Sequence, residues 1–480
     1  MNKNIKSLLN HTPLKNKMIK AVFCIIVTAY YFFPINNALI AQNWNPNWDS
    51  ITQHETPEWF RDAKFGIFIH WGVYSVPAWA PRGMYAEWYP TYMYQKDHPV
   101  SKHHRETWGE GFEYEDFIPL WKAENWDPDE WADLFKKAGA RYVIPVGEHH
   151  DGFPLWDSAL TDWNAVQMGP NRDLIRELGE SVRARGMKYG PSYHGLLNYY
   201  TPEFSGHHPD YINDDYIEFM HAKIREIIDL FEPDILWLDG DWLQPLEVFR
   251  TRELVAYYYN QAEEWGKEVA VNDRWGQVRG IFGDFFTQEY EYDVIDRLID
   301  HKWENTRGMG QSFGYNQNEQ LEDYLSVEEL VKLLVDNVSK NANLLLNVGP
   351  RADGTIPEIQ KKLLLGLGNW LSVNGEAIYG TRPWFTAEAT TAEGDPIRFT
   401  RKGGKLYMFL LDEPNASQLT IPRIFPDEGA EVSLLATGEL LHWNLIDNNL
   451  TINLPDQLPG EHVYVLTISD EPGYLMRNTR

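Results

Sequence analysis

The chain has one cysteine, Cys24, in 480 residues. Beyond that position a disulfide framework, a thiolate metal site and a cysteine nucleophile are all excluded. Positive charge is also scarce. The 43 Lys and Arg face 70 Asp and Glu, a formal charge of −27, which argues against a phosphate backbone or an anionic membrane surface as partner. No G-x-x-x-x-G-K-[ST] is present, no G-x-G-x-x-G follows a strand-like segment, and no G-x-S-x-G occurs. Phosphate-cradling nucleotide enzymes and serine hydrolases of the nucleophile-elbow type therefore lack support. No apolar run reaches the ~20 residues of a comfortable membrane span. The longest, Ala21 to Ile35, follows five lysines (Lys3, Lys6, Lys15, Lys17, Lys20) and precedes the small-residue end Ala38-Leu39-Ile40-Ala41. A basic segment, a short apolar stretch and an A-x-A-like end predict a secretory signal peptide over 1–41, with export to the periplasm or the exterior and no stable membrane insertion.

What is abundant is aromatic. Trp, Tyr and Phe make up 14% of the chain, with 20 Trp and 26 Tyr. Such side chains fill cores, and they also suit the C–H faces of sugar rings. Between about 60 and 380, short apolar runs alternate with amphipathic stretches. The strand-like runs are 64–70, 141–147, 187–193, 234–239, 268–272, 284–288, 311–315 and 342–348. Helical patterns lie between them, as at 128–138, 173–185, 214–230, 246–265 and 326–338, and Asp127 before Pro128 reads as a cap with proline in the first turn. Eight strands alternating with helices predict a (β/α)8-like TIM barrel over 42–383. After it the pattern turns to short β-rich segments separated by Gly, Pro, Asn and Asp, which predicts an antiparallel β-sandwich over 384–480.

In such a barrel the chemistry collects at the C-terminal ends of the strands. Those ends carry His70, then Glu148-His149-His150-Asp151, Tyr193-His194, Asp239 between Trp237 and Trp242, Asn272-Asp273-Arg274, and Glu289-Tyr290-Glu291. Imidazoles at 70, 149, 150 and 194 admit a metal site, but neighbours 149 and 150 on a regular strand point to opposite faces, which weakens joint ligation. The remaining chemistry is a carboxylate pair among indoles, imidazoles and an arginine, the set that glycoside hydrolysis uses. Asp239 ends a strongly apolar strand and is one member. Glu289, Glu291 and Glu304 are candidates for the other, and spacing does not choose among them.

At this level the chain resembles the retaining α-L-fucosidases of glycoside hydrolase family twenty-nine. The matching words are KFGIFIHWG (64–72), AEWY (86–89), HHDGF (149–153), LWLDG (236–240), NDRWG (272–276), TQEY (287–290), NLLLNVGP (343–350), ADGTI (352–356) and GEAIYGTRPW (375–384). The resemblance implies an exo-acting enzyme that removes terminal α-L-fucose by double displacement and needs no metal or organic cofactor. It also implies Asp239 as nucleophile, and its T-x-E-Y word favours Glu289 as acid/base. Fucose-binding positions would fall on His70, Glu87, Trp88, His149, His150, Tyr193, Trp237 and Arg274. Departures from the family pattern are Glu148 where lysine is common, Asn341-Ala342 where Gly-Gly is usual, Phe313 where tryptophan is usual, and the segment MKYGPSYH over 187–194. An extra negative charge at Glu148 is expected to raise a neighbouring carboxyl's pKa or to repel anionic aglycones. Two rival readings are a non-catalytic fucoside-binding protein, which would lack one carboxylate, and a glycosidase for a related sugar such as galactose, which would lack a methyl-accommodating wall. Linkage, aglycone, natural glycan and oligomeric state are not legible.

Overall fold

The structure, a computed structural model, describes residues 43–195, 212–277, 279–290 and 297–474. The expected signal segment and Glu291 lie outside them. The first sheet is parallel and closes on itself. Its strands are β1 (Phe65–Ile69), β2 (Tyr142–Glu148), the short pieces β3 (Lys188–Tyr189) and β4 (Ser192–Tyr193), and β5 (Ile235–Leu238). Past the rim ribbon β6 (Gly240–Pro245) come β7 (Ala270–Val271), β8 (Trp275–Gln277, paired with β6), β9 (Phe286–Glu289), β10 (Trp303–Gly308) and β11 (Ala342–Val348). The order β7-β5-β4-β2-β1-β11-β10-β9 becomes a ring through a parallel bridge between Asn272 and Phe285. With β3 and β4 as two pieces of one strand, this is the expected eight-stranded barrel.

The strands read as continuous apolar runs because both faces are covered: β1, β2 and β11 are buried at every position. Alternation then sorts the side chains. Phe68, Tyr142, Ile144, Val146, Ile235, Trp237, Ala270, Phe285 and Leu345 fill the lumen. Their odd-even partners, such as Ile67, Ile69, Val143, Leu236, Leu344 and Leu346, pack outward on the helices. The helices begin where capping chemistry allows. Asp127 accepts from the N–H groups of Asp129 and Glu130 ahead of Pro128–Lys137, which has acids in its first turn and lysines in its last, as the helix dipole favours. Ser326 and Glu329 form a capping box at Val327–Ser339. Among the described residues no helix is long and apolar enough to cross a membrane.

Two expectations are corrected. The seventh strand is Trp303–Gly308, not 311–315, which is irregular. And Glu148 does not face the cavity: it is buried against Lys223 of helix Asp214–Phe231, whose Nζ reaches its two oxygens at 2.9 and 2.8 Å, and its charge only adds to the burial that pushes the neighbouring Asp151 carboxyl up to about 7. A bulge between Val146 and Glu148 causes this, since two residues of β2 there face one of β4. The phase of alternation flips, so Glu148 turns out to the helix layer and His149 turns in.

Past the barrel, an antiparallel sheet of six strands is accompanied by a three-stranded one. They enclose their own core of Trp384, Phe399, Met408, Leu419, Ile452 and Leu466, among others. The domain is tied to the barrel helices by Trp370, whose indole N–H donates to the Val463 carbonyl at 2.9 Å, and by Arg398 on Asp336 at 2.6 Å.

Candidate active site

At the C-terminal rim of the barrel lies a cavity of about 330 Å³. Alternation brings His70 into it two residues past Phe68, Asp239 two past Trp237, and Glu289 four past Phe285, while the bulge of β2 brings in His149. Arg274 stands two residues past Asn272, and Asn272 clamps the end of β5: its amide oxygen accepts from Leu238 N–H at 2.9 Å and its NH2 donates to Leu238 O at 2.8 Å. The backbone of Asp239 is held as well, its N–H on the Tyr193 carbonyl at 3.0 Å and that of Gly240 on the Arg274 carbonyl at 2.8 Å. The nucleophile candidate thus sits on a fixed strand end rather than a free loop.

Arg274 organises the charges. Its Nη2 lies 2.8 Å from Asp239 Oδ1, its Nη1 donates to Glu289 Oε2 at 3.1 Å, and its Nε faces Asp241 Oδ1 at 3.7 Å. One buried guanidinium therefore joins both candidate catalytic carboxylates by its two terminal nitrogens, the forked geometry that arginine alone supplies. Asp241 is shared with Arg279. Burial alone would push the Asp239 carboxyl up, but Arg274, with His194 and His150, outweighs it and holds the group well below the usual carboxylate range. Asp239 Oδ2 is 3.3 Å from His194 Nδ1. Glu289 also accepts at Oε1 from the Tyr85 hydroxyl at 2.7 Å, and its side chain is 25% exposed, which leaves it open to the pocket mouth.

Around this pair the polar wall is largely neutral. Burial, then the neighbouring imidazoles, holds His70 and His149 well below the ordinary histidine range. Burial pushes Glu87 up to about 7, against the pull of Gly314 N–H (2.8 Å) and Ser312 Oγ (3.2 Å). Apolar wall comes from Phe68, Trp88, Trp237, Trp242 and Phe313.

Of the ten site residues expected from sequence, the cavity brings together His70, Glu87, Trp88, His149, Trp237, Asp239, Arg274 and Glu289. His150 stands behind the wall, its ring 4.7 Å from Trp88 and 5.7 Å from Trp242. Tyr193 faces outward, packed on Trp275 and bonded to Glu148, and its neighbour His194 lines the cavity instead. Strand alternation accounts for this, because Tyr189, four residues earlier, already points to the helix layer and donates to the Ile175 carbonyl at 2.6 Å. Glu304 lies deeper in the lumen, accepting from the Tyr142 hydroxyl at 2.5 Å and from the Trp237 indole at 2.9 Å, and does not reach the cavity. Burial raises it to about 7. Tyr85, Trp242, Thr306 and Phe313 join the wall without having been singled out as ligands. Tyr85 stands one residue before AEWY, so its place beside Glu87 was within reach of the sequence. His70, His149 and His194 bring ring nitrogens within 4.8 Å of one another, a set able to hold a metal ion.

Comparisons with known proteins bear on the family and the fold. A family model described as alpha-L-fucosidase matches residues 32–376, and one described as alpha-L-fucosidase C-terminal domain matches 391–469. The chain is 34% identical over 475 residues to an alpha-L-fucosidase of Dictyostelium discoideum, covering 93% of this chain and 99% of that one. It is 36% identical over 444 residues to human tissue alpha-L-fucosidase, covering 89% and 91%. The crystal structure of the Thermotoga maritima alpha-fucosidase in complex with fucose superposes with a TM-score of 0.80 at 44% identity, covering 88% of this chain and all of that one.

Proposed function

The chain belongs to the alpha-L-fucosidase family and is a glycoside hydrolase; from that premise we propose that it removes terminal α-L-fucose from glycans with retention of configuration, Asp239 acting as nucleophile and Glu289 as acid/base. The observation that carries the reading is the Arg274 guanidinium shared between Asp239 and Glu289. Two carboxyl groups held by one guanidinium suit the ~5–5.5 Å spacing of retaining enzymes better than the wider gap that seats a water in inverting ones.

In the first step an Asp239 oxygen attacks the anomeric carbon from the face opposite the leaving group. The bond from that carbon to the glycosidic oxygen breaks, and the departing oxygen takes the proton of Glu289. The product is a fucosyl ester on Asp239. In the second step Glu289 accepts a proton from water, the water oxygen attacks the same carbon, and the Asp239 carboxylate is released. An ionised Asp239 is what the first step requires, and Arg274 supplies the field that keeps it so. The neutral imidazoles of His70 and His149 offer hydroxyl partners without competing charge, and Phe68, Trp237 and Phe313 offer apolar wall for the C5 methyl that distinguishes fucose from galactose. Fucose in the Thermotoga maritima relative is consistent with this sugar.

We further propose that residues 1–41 direct export, so that the enzyme meets its glycans outside the cytoplasm. N-terminal sequencing of the protein recovered from the producing cell's exterior or periplasm checks it, with a start near position 42 expected. The function itself is tested by NMR of an aryl α-L-fucopyranoside during hydrolysis. Initial α-fucose is expected, and initial β-fucose refutes the nucleophile. Asp239→Gly is expected to lose at least 10³-fold in turnover while still binding fucose, and full activity in that variant refutes the assignment.

A further inference from the structure

Three imidazoles converge in the pocket. The rings of His70, His149 and His194 come from three different strands, with centroids 5.7, 5.5 and 5.2 Å apart and nitrogens within 4.8 Å of one another. All three are at least 96% buried. The Asn347 amide fixes the tautomer of His70. Its NH2 donates to the Phe313 carbonyl at 2.7 Å, which turns its oxygen to His70 Nδ1, also at 2.7 Å. Nδ1 must then carry the hydrogen, and Nε2 keeps a lone pair. A hydrogen-bonded outer partner of this kind is what orients metal-ligating imidazoles. His194 has one too, with Nε2 3.0 Å from Ser192 Oγ, whose own hydrogen has the Pro145 carbonyl at 3.5 Å. His149 Nδ1 is buried and has no hydrogen-bond partner among the described residues.

We propose that His70, His149 and His194 form an inhibitory site for a divalent transition ion of the zinc or copper class, which excludes the sugar from the pocket when bound. Three neutral imidazoles with a fourth position open make a known type of zinc donor set, and nitrogen donors select such ions over calcium and magnesium. Ligand bonds of about 2.0–2.1 Å place nitrogens about 3.3 Å apart, so ring nitrogens now within 4.8 Å of one another need to close by up to about 1.5 Å. The open position faces Asp239, whose anionic Oδ2 already lies 3.3 Å from His194 Nδ1. The ion takes no part in hydrolysis; it occupies the room of the sugar ring.

The test uses the chelator-treated full-length protein and Co²⁺ as probe, read by the visible absorption of four-coordinate cobalt, with Zn²⁺ followed by calorimetry. Neither readout depends on turnover, so failure of the fucosidase reading would leave this one decidable. One ion per chain is expected, with binding abolished by saturating fucose, inhibition of aryl fucoside hydrolysis competitive with substrate, and reversal by EDTA. His149→Gln should weaken binding at least tenfold, while His103→Ala, at a half-buried histidine stacked on Trp79, should not alter it. Absence of binding up to millimolar metal, binding indifferent to fucose, or unchanged affinity in His149→Gln each overturns the proposal. If His149→Gln does not fold, fucose competition on the unmodified protein decides alone.

Discussion

Removing the charge of Arg274 should turn Asp239, the proposed nucleophile, into a titrating group. In the folded protein Asp239 is buried, and the guanidinium at 2.8 Å is the largest influence opposing that burial. Taking the charge centres as about 4 Å apart at an effective dielectric of 20, the attraction is about 4 kcal/mol, or about 3 pK units. In Arg274→Gln the carboxyl should therefore rise into the ordinary range near 4, because the largest influence opposing burial is gone and only His194 and His150 remain. The sign follows: the nucleophile must be ionised, so activity is kept at high pH and lost as pH falls through the new value. The assay is kcat/KM from pH 3 to 8 on an activated aryl α-L-fucoside whose leaving group needs no protonation, which isolates the attack by Asp239. An acid limb near pH 4–6 that the unmodified enzyme lacks is expected, along with a loss of about 10²–10³ at neutral pH from misaligned carboxylates. Arg274→Lys should restore the charge but reach only one carboxylate, so the limb moves back while the rate stays low. A change in KM with an unmoved acid limb would refute the reasoning and reduce Arg274 to a sugar ligand.

Glu289→Gln should lower kcat/KM by about 10²–10⁴ on glycans with poor leaving groups and much less on activated aryl fucosides, whereas Glu304→Gln should stay within about tenfold on both. Steady-state kinetics on matched substrates separates the two glutamates. Glu304 also predicts a pH effect on stability. Its folded value of about 7 lies above the unfolded value near 4.3, so its contribution is fully present below pH ~4.3 and is lost as pH rises to about 7. The loss amounts to about 3–4 kcal/mol, and denaturant unfolding of the unmodified protein against Glu304→Gln at pH 4.5 and 7.5 should show the gap. Lys223→Met should cost about 3–5 kcal/mol by leaving Glu148 buried without a cation, while Lys223→Met with Glu148→Met should recover most of it. Equal losses in the single and double variants would sink that account.

Much of this was legible because the barrel writes itself in apolar runs, and because catalytic groups fall at the ends of those runs. Asp239 and Arg274 were singled out in that way, whereas Glu289 was preferred to Glu291 and Glu304 only through the T-x-E-Y word of the family resemblance. The seventh strand escaped because Trp303–Gly308 places Glu304 and Thr306 toward the lumen and so reads as polar loop, while 311–315 looks more apolar and lies outside the sheet. Tyr193 was preferred to His194 although the outward-facing Tyr189 sets the phase of that strand. In the second domain, Arg382–Thr390 and Pro396–Lys402 are strands that charge and proline disguise. Glu148 is the instructive case, since a charge judged by sequence proximity to the histidines proved to belong to a long-range pair with Lys223.

The bulge in β2 makes residue count, rather than residue type, the sensitive variable at this point of the chain. Lengthening the strand by one residue after Gly147 would keep every neighbouring side chain and yet exchange their directions. Glu148 would swing into the lumen beneath the sugar, Lys223 would face an apolar layer alone, and His149 would leave the pocket. Most substitutions here alter one contact, whereas a one-residue insertion inverts three. The gene can drift in spelling at this site more safely than in length.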